Sequence, residues 1–264
     1  MLDIEFVELT DPGHVREHNE DAVGHVVPAS AAEVQSQGWF FCLADGMGGH
    51  QFGEVASQLA VKTAVDGFRR IPKGVMHVSL LPKLVQDANA AVYDAGLATS
   101  LRGARMGTTF VACALRFDSA VVSHVGDSRC YLFRNTAGAT LAQLTRDHTL
   151  RMGIVSKEDA ATGEGRHVLT RSLGNEMFVA ADTVTVNIQP GDVLLLCSDG
   201  LHGYVADESI SRLLQSYAEL ARAAAALVAA ANEAGGADNV SVTLIRVRGV
   251  ERMGLYRGRP YRLL

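Results

Sequence analysis

Trp39-Phe40-Phe41-Cys42-Leu43-Ala44-Asp45-Gly46-Met47-Gly48-Gly49 decides the reading of this chain: six uncharged residues run into a carboxylate, and Gly46, Gly48 and Gly49 follow it. An apolar run of that length, stopped by turn formers, predicts a buried strand. The pattern recurs. Val121-Val122-Ser123-His124-Val125-Gly126 runs into Asp127-Ser128, and Val193-Leu194-Leu195-Leu196-Cys197-Ser198 runs into Asp199-Gly200. Asp238-Asn239 comes just before Val240-Ser241-Val242-Thr243-Leu244-Ile245. A carboxylate at the end of a buried strand is costly unless something satisfies it. Several converging on one rim suit a hard divalent cation, which takes oxygen ligands.

Working outward, residues 4–10 alternate apolar and polar and predict a strand, with residues 22–27 as its partner. Ala56, Ala60, Ala64 and Phe68 recur every four residues and predict a helix over 53–68; Leu84, Ala88, Ala91 and Ala95 predict a second over 80–97. Residues 108–117, 120–125 and 129–134 read as three consecutive strands whose short connections suggest antiparallel neighbours, and 140–144 adds a fourth. Strands are expected at 184–188, 193–198 and 240–247, and helices at 207–217 and 219–233, the latter alanine-rich and interrupted by Arg222. The polar stretch 147–166 reads as a surface insertion with a short helix near 157–161. Strands, two helices, strands, two helices and a strand do not alternate as a doubly wound sheet does. The order predicts an α+β protein of mostly antiparallel sheets covered by helices.

The chain has 264 residues, 48% of them hydrophobic, and a net charge of −5. That supports one large domain over 1–247 with a basic tail over 248–264, and gives no basic surface for nucleic acid. Cys42, Cys113, Cys130 and Cys197 lie in apolar runs without zinc spacing, as small buried side chains in a reducing compartment would. No signal sequence and no membrane span are read, and the expected location is cytoplasmic. Arg248, Arg252, Arg257, Arg259 and Arg262, with Tyr256 and Tyr261, give the tail its positive character, suited to an acidic partner, a membrane surface or packing on its own domain.

Arg16-Glu17-His18-Asn19-Glu20-Asp21, Gly107-Thr108-Thr109 and Gly126-Asp127-Ser128-Arg129 join the aspartate blocks in a fixed order. Together these blocks resemble the metal-dependent type 2C, or PPM, serine/threonine protein phosphatases of bacterial type, from Arg16 to Val247. The resemblance implies a central β-sandwich of two antiparallel sheets flanked by helices, with two Mn2+ or Mg2+ ions at one end. It implies that Asp45 bridges both metals, that the Gly46 carbonyl binds one, and that Asp199 and Asp238 complete the other. Glu20 and Asp21 would lie nearby, holding a metal or its waters, and Asp127 with Asp199 matches a third, weaker site. Arg16 matches the phosphate-binding arginine, whose planar fork can clamp two oxygens.

A phosphate monoester dianion repels hydroxide, and a pair of divalent ions roughly 3.5–4 Å apart acidifies a shared water and stabilises in-line displacement. Where many eukaryotic members carry a histidine two residues after the bridging aspartate, this chain has Met47. His50, closing the glycine-rich turn, is the candidate acid in its place, with a metal-bound water as the alternative. His148, His167 and His202 follow no ligand spacing and read as ordinary surface or loop residues; residues 169–174 match a structural block and 147–166 a short flap. The expected substrates are phosphorylated serine and threonine proteins, opposite a cognate kinase, acted on by a monomer. A non-catalytic phosphoprotein-binding module and a hydrolase of another phosphate monoester are the alternatives.

Overall fold

The computed structural model describes residues 1–47, 52–72, 74–100, 106–136, 138–150, 168–250, 253–256 and 259–262. The chain begins with β1 (Asp3–Asp11), β2 (Asp21–Val26), a short helix α1 (Ala31–Ser36) and β3 (Trp39–Met47). Two long helices follow, α2 (Phe52–Arg69) and α3 (His77–Ser100). Next come β4 (Gly107–Thr108), β5 (Phe110–Arg116), β6 (Ser119–Val125), β7 (Arg129–Asn135) and β8 (Ala139–Gln143). The short strands β9 (Thr149–Leu150) and β10 (Val168–Leu169) precede β11 (Asp182–Asn187) and β12 (Val193–Cys197). Helices α4 (Asp199–His202), α5 (Asp207–Ser216) and α6 (Leu220–Glu233) lead to β13 (Val240–Gly249) and a final ribbon, β14 (Met253–Tyr256) and β15 (Arg259–Arg262).

Two antiparallel sheets, ordered β1-β13-β12-β7-β8 and β11-β6-β5-β3-β2, carry the fold. Side-chain alternation along each strand sorts the apolar residues into three cores. On β3, Phe41 and Leu43 point between the sheets while Phe40, Cys42 and Ala44 point towards α2 and α3. On β12, Leu194 and Leu196 enter the sandwich while Val193, Leu195 and Cys197 face the C-terminal helices. Strands buried on both faces read as continuous apolar runs, which is why β3 and β12 carry no polar alternation. The result is helix, sheet, sheet, helix, as expected. The predicted α2 stripe is buried throughout, and its alanines let the helix lie close to the sheet. On α3 the buried stripe is Leu81, Leu84, Val85, Ala88 and Val92; Ala91 and Ala95 are only half-buried. All four cysteines are buried and free.

Two predicted pairings are corrected. The partner of β1 is β13, whereas β2 pairs with β3 in the other sheet. The β1 and β2 side chains meet only across the sandwich, where His25 Nδ1 lies 2.7 Å from Glu8 Oε2. Similarly, β5 and β6 form a hairpin, but β7 pairs with β12 and β8. The Gly126-Asp127-Ser128 connection crosses from one sheet to the other rather than turning back. Gly126 makes this possible at φ +104°, with Thr109 packed where a Cβ would stand. The strand β13 runs on to Gly249, and Arg248 pairs with Glu5 of β1 at 2.6 Å, so the tail's first arginine is tied to its own domain. The predicted helix near 157–161 and Arg252 and Arg257 lie outside the described residues.

Phe41 is fully buried between the sheets and meets Phe6 edge-on at 5.0 Å, joining the two layers. Phe41→Ala should cost about 3–5 kcal/mol of unfolding free energy, measured by urea denaturation. A loss below about 1 kcal/mol would show that the sandwich interior does not hold the sheets together as described.

Candidate active site at the strand ends

Register puts the predicted acidic residues at one end of the sandwich. Asp21 opens β2 directly opposite Asp45 on β3, so their side chains leave the same face. In the other sheet, Cys197 ends β12 opposite Val242, and Asp11 ends β1 opposite Val240. The residues just beyond these strand ends, Asp199 and Asp238, therefore reach the same rim. Asp127 enters it from the β6–β7 crossing. Asp45 and Asp199 share a hydrogen bond.

A backbone frame fixes this cluster. The Asp45 N–H donates to Thr109 Oγ1 (3.0 Å), and the Asp45 carbonyl accepts from Thr109 N–H (2.9 Å) and Thr108 Oγ1 (2.8 Å). Ser198 Oγ donates to Asp21 Oδ2 at 2.8 Å and accepts from Ser241 N–H at 3.0 Å. At Gly46 a side chain would run into the carbonyl oxygens of Gly53 and Glu20, so strand and helix start can meet only with glycine there. Gly53 in turn makes room for the Glu20 carboxylate.

Arg16 is half-exposed and donates from Nη2 to Asp238 Oδ2 at 2.8 Å. Its loop is braced by Asn239, which is buried. Asn239 Oδ1 accepts from Glu20 N–H (2.8 Å), while Nδ2 donates to the carbonyls of Pro12 and His18 (both 2.9 Å). Asn239 was visible in the sequence only as part of the Asp238 block, and its bracing role depends on a segment 219 to 227 residues away in the chain, beyond any local pattern.

The electrostatics are those of carboxylates forced together. Burial pushes Asp45 well above the usual carboxylate range, and the charges of Asp199 and Asp21 push it the same way. Asp21 is pushed up to about 7 by burial, against the pull of bonds from Ser241 and Ser198. Asp127 also rises to about 7, through burial first and then Asp199 and Asp147. Burial and Asp238 raise Asp199, while its bond with Asp45 draws it down. Burial raises Glu20, and Arg16 opposes it. Asp21 Oδ1 and Asp199 Oδ1 are buried without a hydrogen-bond partner. All-oxygen donors, orphaned carboxylate oxygens and mutual repulsion are what a hard divalent cation would relieve, so the residues fit Mn2+ or Mg2+.

Of the predicted site residues, Asp21, Asp45, Gly46, Asp199, Asp238, Glu20 and Arg16 converge here, and Asp127 lies alongside. Asp127 does not brace its turn by pairing with Arg129. Arg129 instead grips Asp147 through Nε (3.0 Å) and Nη2 (2.7 Å). His50 and His167 lie outside the described residues, as do residues 151–166 of the expected flap. His148 and His202 are not ordinary surface residues. His202 is held by burial at a pKa of about 4 and donates from Nε2 to the Asp127 carbonyl at 3.0 Å. His148 is buried, and its ligand atom lies within 4.8 Å of those of His124 and Asp182. Nothing in their spacing could have shown this, because tertiary packing alone brings them to the Asp127 turn.

The raised carboxyls set a pH dependence. Asp21 and Asp127, near 7 when folded against 3.8 for an ordinary aspartate, make the metal-free fold bind protons more tightly than the unfolded chain. That contribution is complete at low pH and disappears as the pH rises from about 4 through about 7. A cation competes with those protons. Adding Mn2+ to metal-stripped protein should therefore raise Tm more at about pH 8 than at about pH 5. Equal shifts at both would count against these carboxyls as the binding groups.

A family model described as Protein phosphatase 2C matches residues 14–239. The chain is 38% identical over 259 residues to the serine/threonine phosphatase stp of Listeria welshimeri, covering 95% of this chain and 96% of that protein. It resembles the Mycobacterium tuberculosis serine/threonine phosphatase PstP/Ppp with a TM-score of 0.77 and 33% identity, over 94% of this chain and 100% of that one. A structure of the PstP catalytic domain in complex with two manganese ions aligns with a TM-score of 0.74 and 33% identity, over the same shares of the two chains. The chain belongs to the protein phosphatase 2C family.

Proposed function

We propose that this protein is a metal-dependent protein phosphatase that hydrolyses phosphoserine and phosphothreonine. The observation that carries the reading is the buried cluster of Asp21, Asp45, Asp199 and Asp238, with two orphaned carboxylate oxygens and Arg16 at its rim. When bound, a pair of divalent cations would supply Lewis acidity and acidify a water for direct attack on phosphorus. Asp45 stands between Asp21 and Asp199 and is the residue suited to bridge two cations. The Gly46 carbonyl would be the further donor to one of them, and Asp199 and Asp238 would hold the other. Glu20 and Asp21 would hold metal-bound waters or a metal directly, and Asp127 with Asp199 would serve a third, weaker site.

Arg16 binds the phosphoryl oxygens. Asp238 accepts from one arm of its guanidinium and so aims the fork, while Asn239 fixes the loop that carries it. Met47 has no proton to give, so His50 is the side chain we assign to protonating the leaving oxygen. No helix among the described residues is long and apolar enough to cross a membrane. The four free buried cysteines fit a reducing compartment, and our reading places the protein in the cytoplasm, as a monomer that acts on phosphoproteins and opposes a serine/threonine kinase.

Asp45→Asn and Asp199→Asn should each lower Mn2+-dependent turnover of a phosphothreonine peptide by about 100-fold or more. Full activity in both variants would refute the assignment, and a wild-type preference for nucleotides or small phosphate esters would redirect it. Arg16→Lys should raise KM about tenfold, since a lysine cannot reproduce the bidentate grip; an unchanged KM would remove Arg16 from phosphate binding.

A further inference from the structure

His124, His148 and Asp182 form a cluster that the proposed chemistry does not use. The two rings stack with centroids 4.7 Å apart, and His124 and Asp182 are cross-strand partners on β6 and β11. The composition suggests a transition-metal site, but the hydrogen bonds argue otherwise. The Gly126 N–H donates to His148 Nδ1 at 3.1 Å, so the neutral ring carries its proton on Nε2. Burial holds His148 below its ordinary pKa, favouring that neutral form. His148 Nε2 lies 3.2 Å from Asp182 Oδ2, within ion-pair distance but without hydrogen-bond geometry, and the other Asp182 oxygen accepts from Arg171 Nη1 at 2.8 Å. No lone pair on the His148 ring is left for a metal. On His124, Nε2 is engaged by the backbone of Arg146, at 2.9 Å from its carbonyl and 3.2 Å from its amide nitrogen.

The Gly126 end of this arrangement decides its use. Gly126 is bonded twice to one residue: its N–H to the His148 ring, and its carbonyl to the His148 N–H at 3.0 Å. The next residue is Asp127, whose own carbonyl is held from the other side by His202. The His148 carbonyl accepts from Thr170 N–H at 2.8 Å, so the same residue closes the base of the β9–β10 pair. The sheet crossing that presents Asp127 is thus clamped at one point by His148, with Asp182 and Arg171 behind it.

We propose that His148 is a positioning residue: backed by Asp182, its ring and backbone fix the Gly126-Asp127 turn and so set the affinity of the weaker cation site at Asp127. The inference rests on the reading of Asp127 as a cation ligand. It implies that removing the ring loosens the weaker site and leaves the tighter pair intact, because Asp45, Asp199 and Asp238 take their positions from other strands.

Equilibrium Mn2+ binding, followed by the EPR signal of free Mn2+, tests this without reference to turnover. Asp127→Asn should abolish the weakest Mn2+; if it does not, the reading of Asp127 fails and the positioning role with it. Where Asp127→Asn does abolish it, His148→Ala should weaken that Mn2+ about tenfold while the tighter ions stay within about twofold, since one buried charge-orienting bond is worth roughly that much. His148→Asn places an acceptor where Nδ1 stands and should restore most of the loss. Unchanged weak-site affinity in His148→Ala overturns the proposal, as does a loss shared equally by all sites or one that His148→Asn does not repair. An Mn2+ or Zn2+ ion retained by Asp127→Asn and lost on adding His148→Ala would make the cluster itself a metal site and overturn it as well.

Discussion

Mutual repulsion among buried carboxylates is the constraint around which this molecule is arranged. Asp21, Asp45, Asp199 and Asp238 come from four different places in the chain, and Asp21, Asp199 and Asp238 each raise the proton affinity of a neighbour. Left to themselves, such groups would separate or protonate. They stay together because each is held in place, Asp238 by bonds from the Asn239 N–H and from Arg16. Asp45 is pinned through its backbone to Thr108 and Thr109, Asp21 through its carboxylate to Ser198, and Asp199 by its place after an entirely buried strand, with only Ser198 between. The free energy that enforces the crowding comes from the three apolar cores, which fix the strand ends within a rigid sandwich.

This division of labour explains which parts were legible in the sequence. Strands such as β3 and β12 are apolar on both faces because each divides two cores, and a run of that kind is visible without any knowledge of neighbours. The α2 helix was equally plain, since its alanine stripe reports a close sheet surface. Pairing was not legible. The chain crosses between the sheets after β1 and after β6, and a short polar connection looks the same whether it turns back in one sheet or steps to the other. On α3, a run rich in alanine offers more than one apolar stripe, and only the packed structure selects Val92 over Ala91.

The candidate site divides in the same way. Aspartates at the ends of apolar runs were readable because strand, turn and carboxylate are adjacent in sequence. Asn239, His202 and His148 were not, since each acts on a backbone segment far away in the chain: Asn239 on the Arg16 loop, His202 and His148 on the Asp127 turn. A single asparagine or histidine carries no local signature of the carbonyl or N–H it will meet.

Asp127 differs from the other acidic residues in how it is held, and the difference has a physical consequence. Asp45 lies within β3 and Asp199 is separated from β12 by Ser198 alone, so displacing either would disturb a strand that separates two cores. Asp127 stands on the crossing between sheets, where its backbone neighbours are Gly126, able to adopt φ +104°, and the side chains of two neutral histidines. Its position therefore depends on a few directional hydrogen bonds rather than on packed apolar area. Hydrogen bonds of that kind contribute about 1 kcal/mol each, against the several kcal/mol that hold a core strand. On the proposed assignment, a cation there would be held by the most adjustable part of the rim, while a pair held by Asp45, Asp199 and Asp238 would be fixed by the sandwich itself. The same end of the fold thus offers rigidly and adjustably placed carboxylates, and the adjustable one is joined through His148 to the base of the β9–β10 pair.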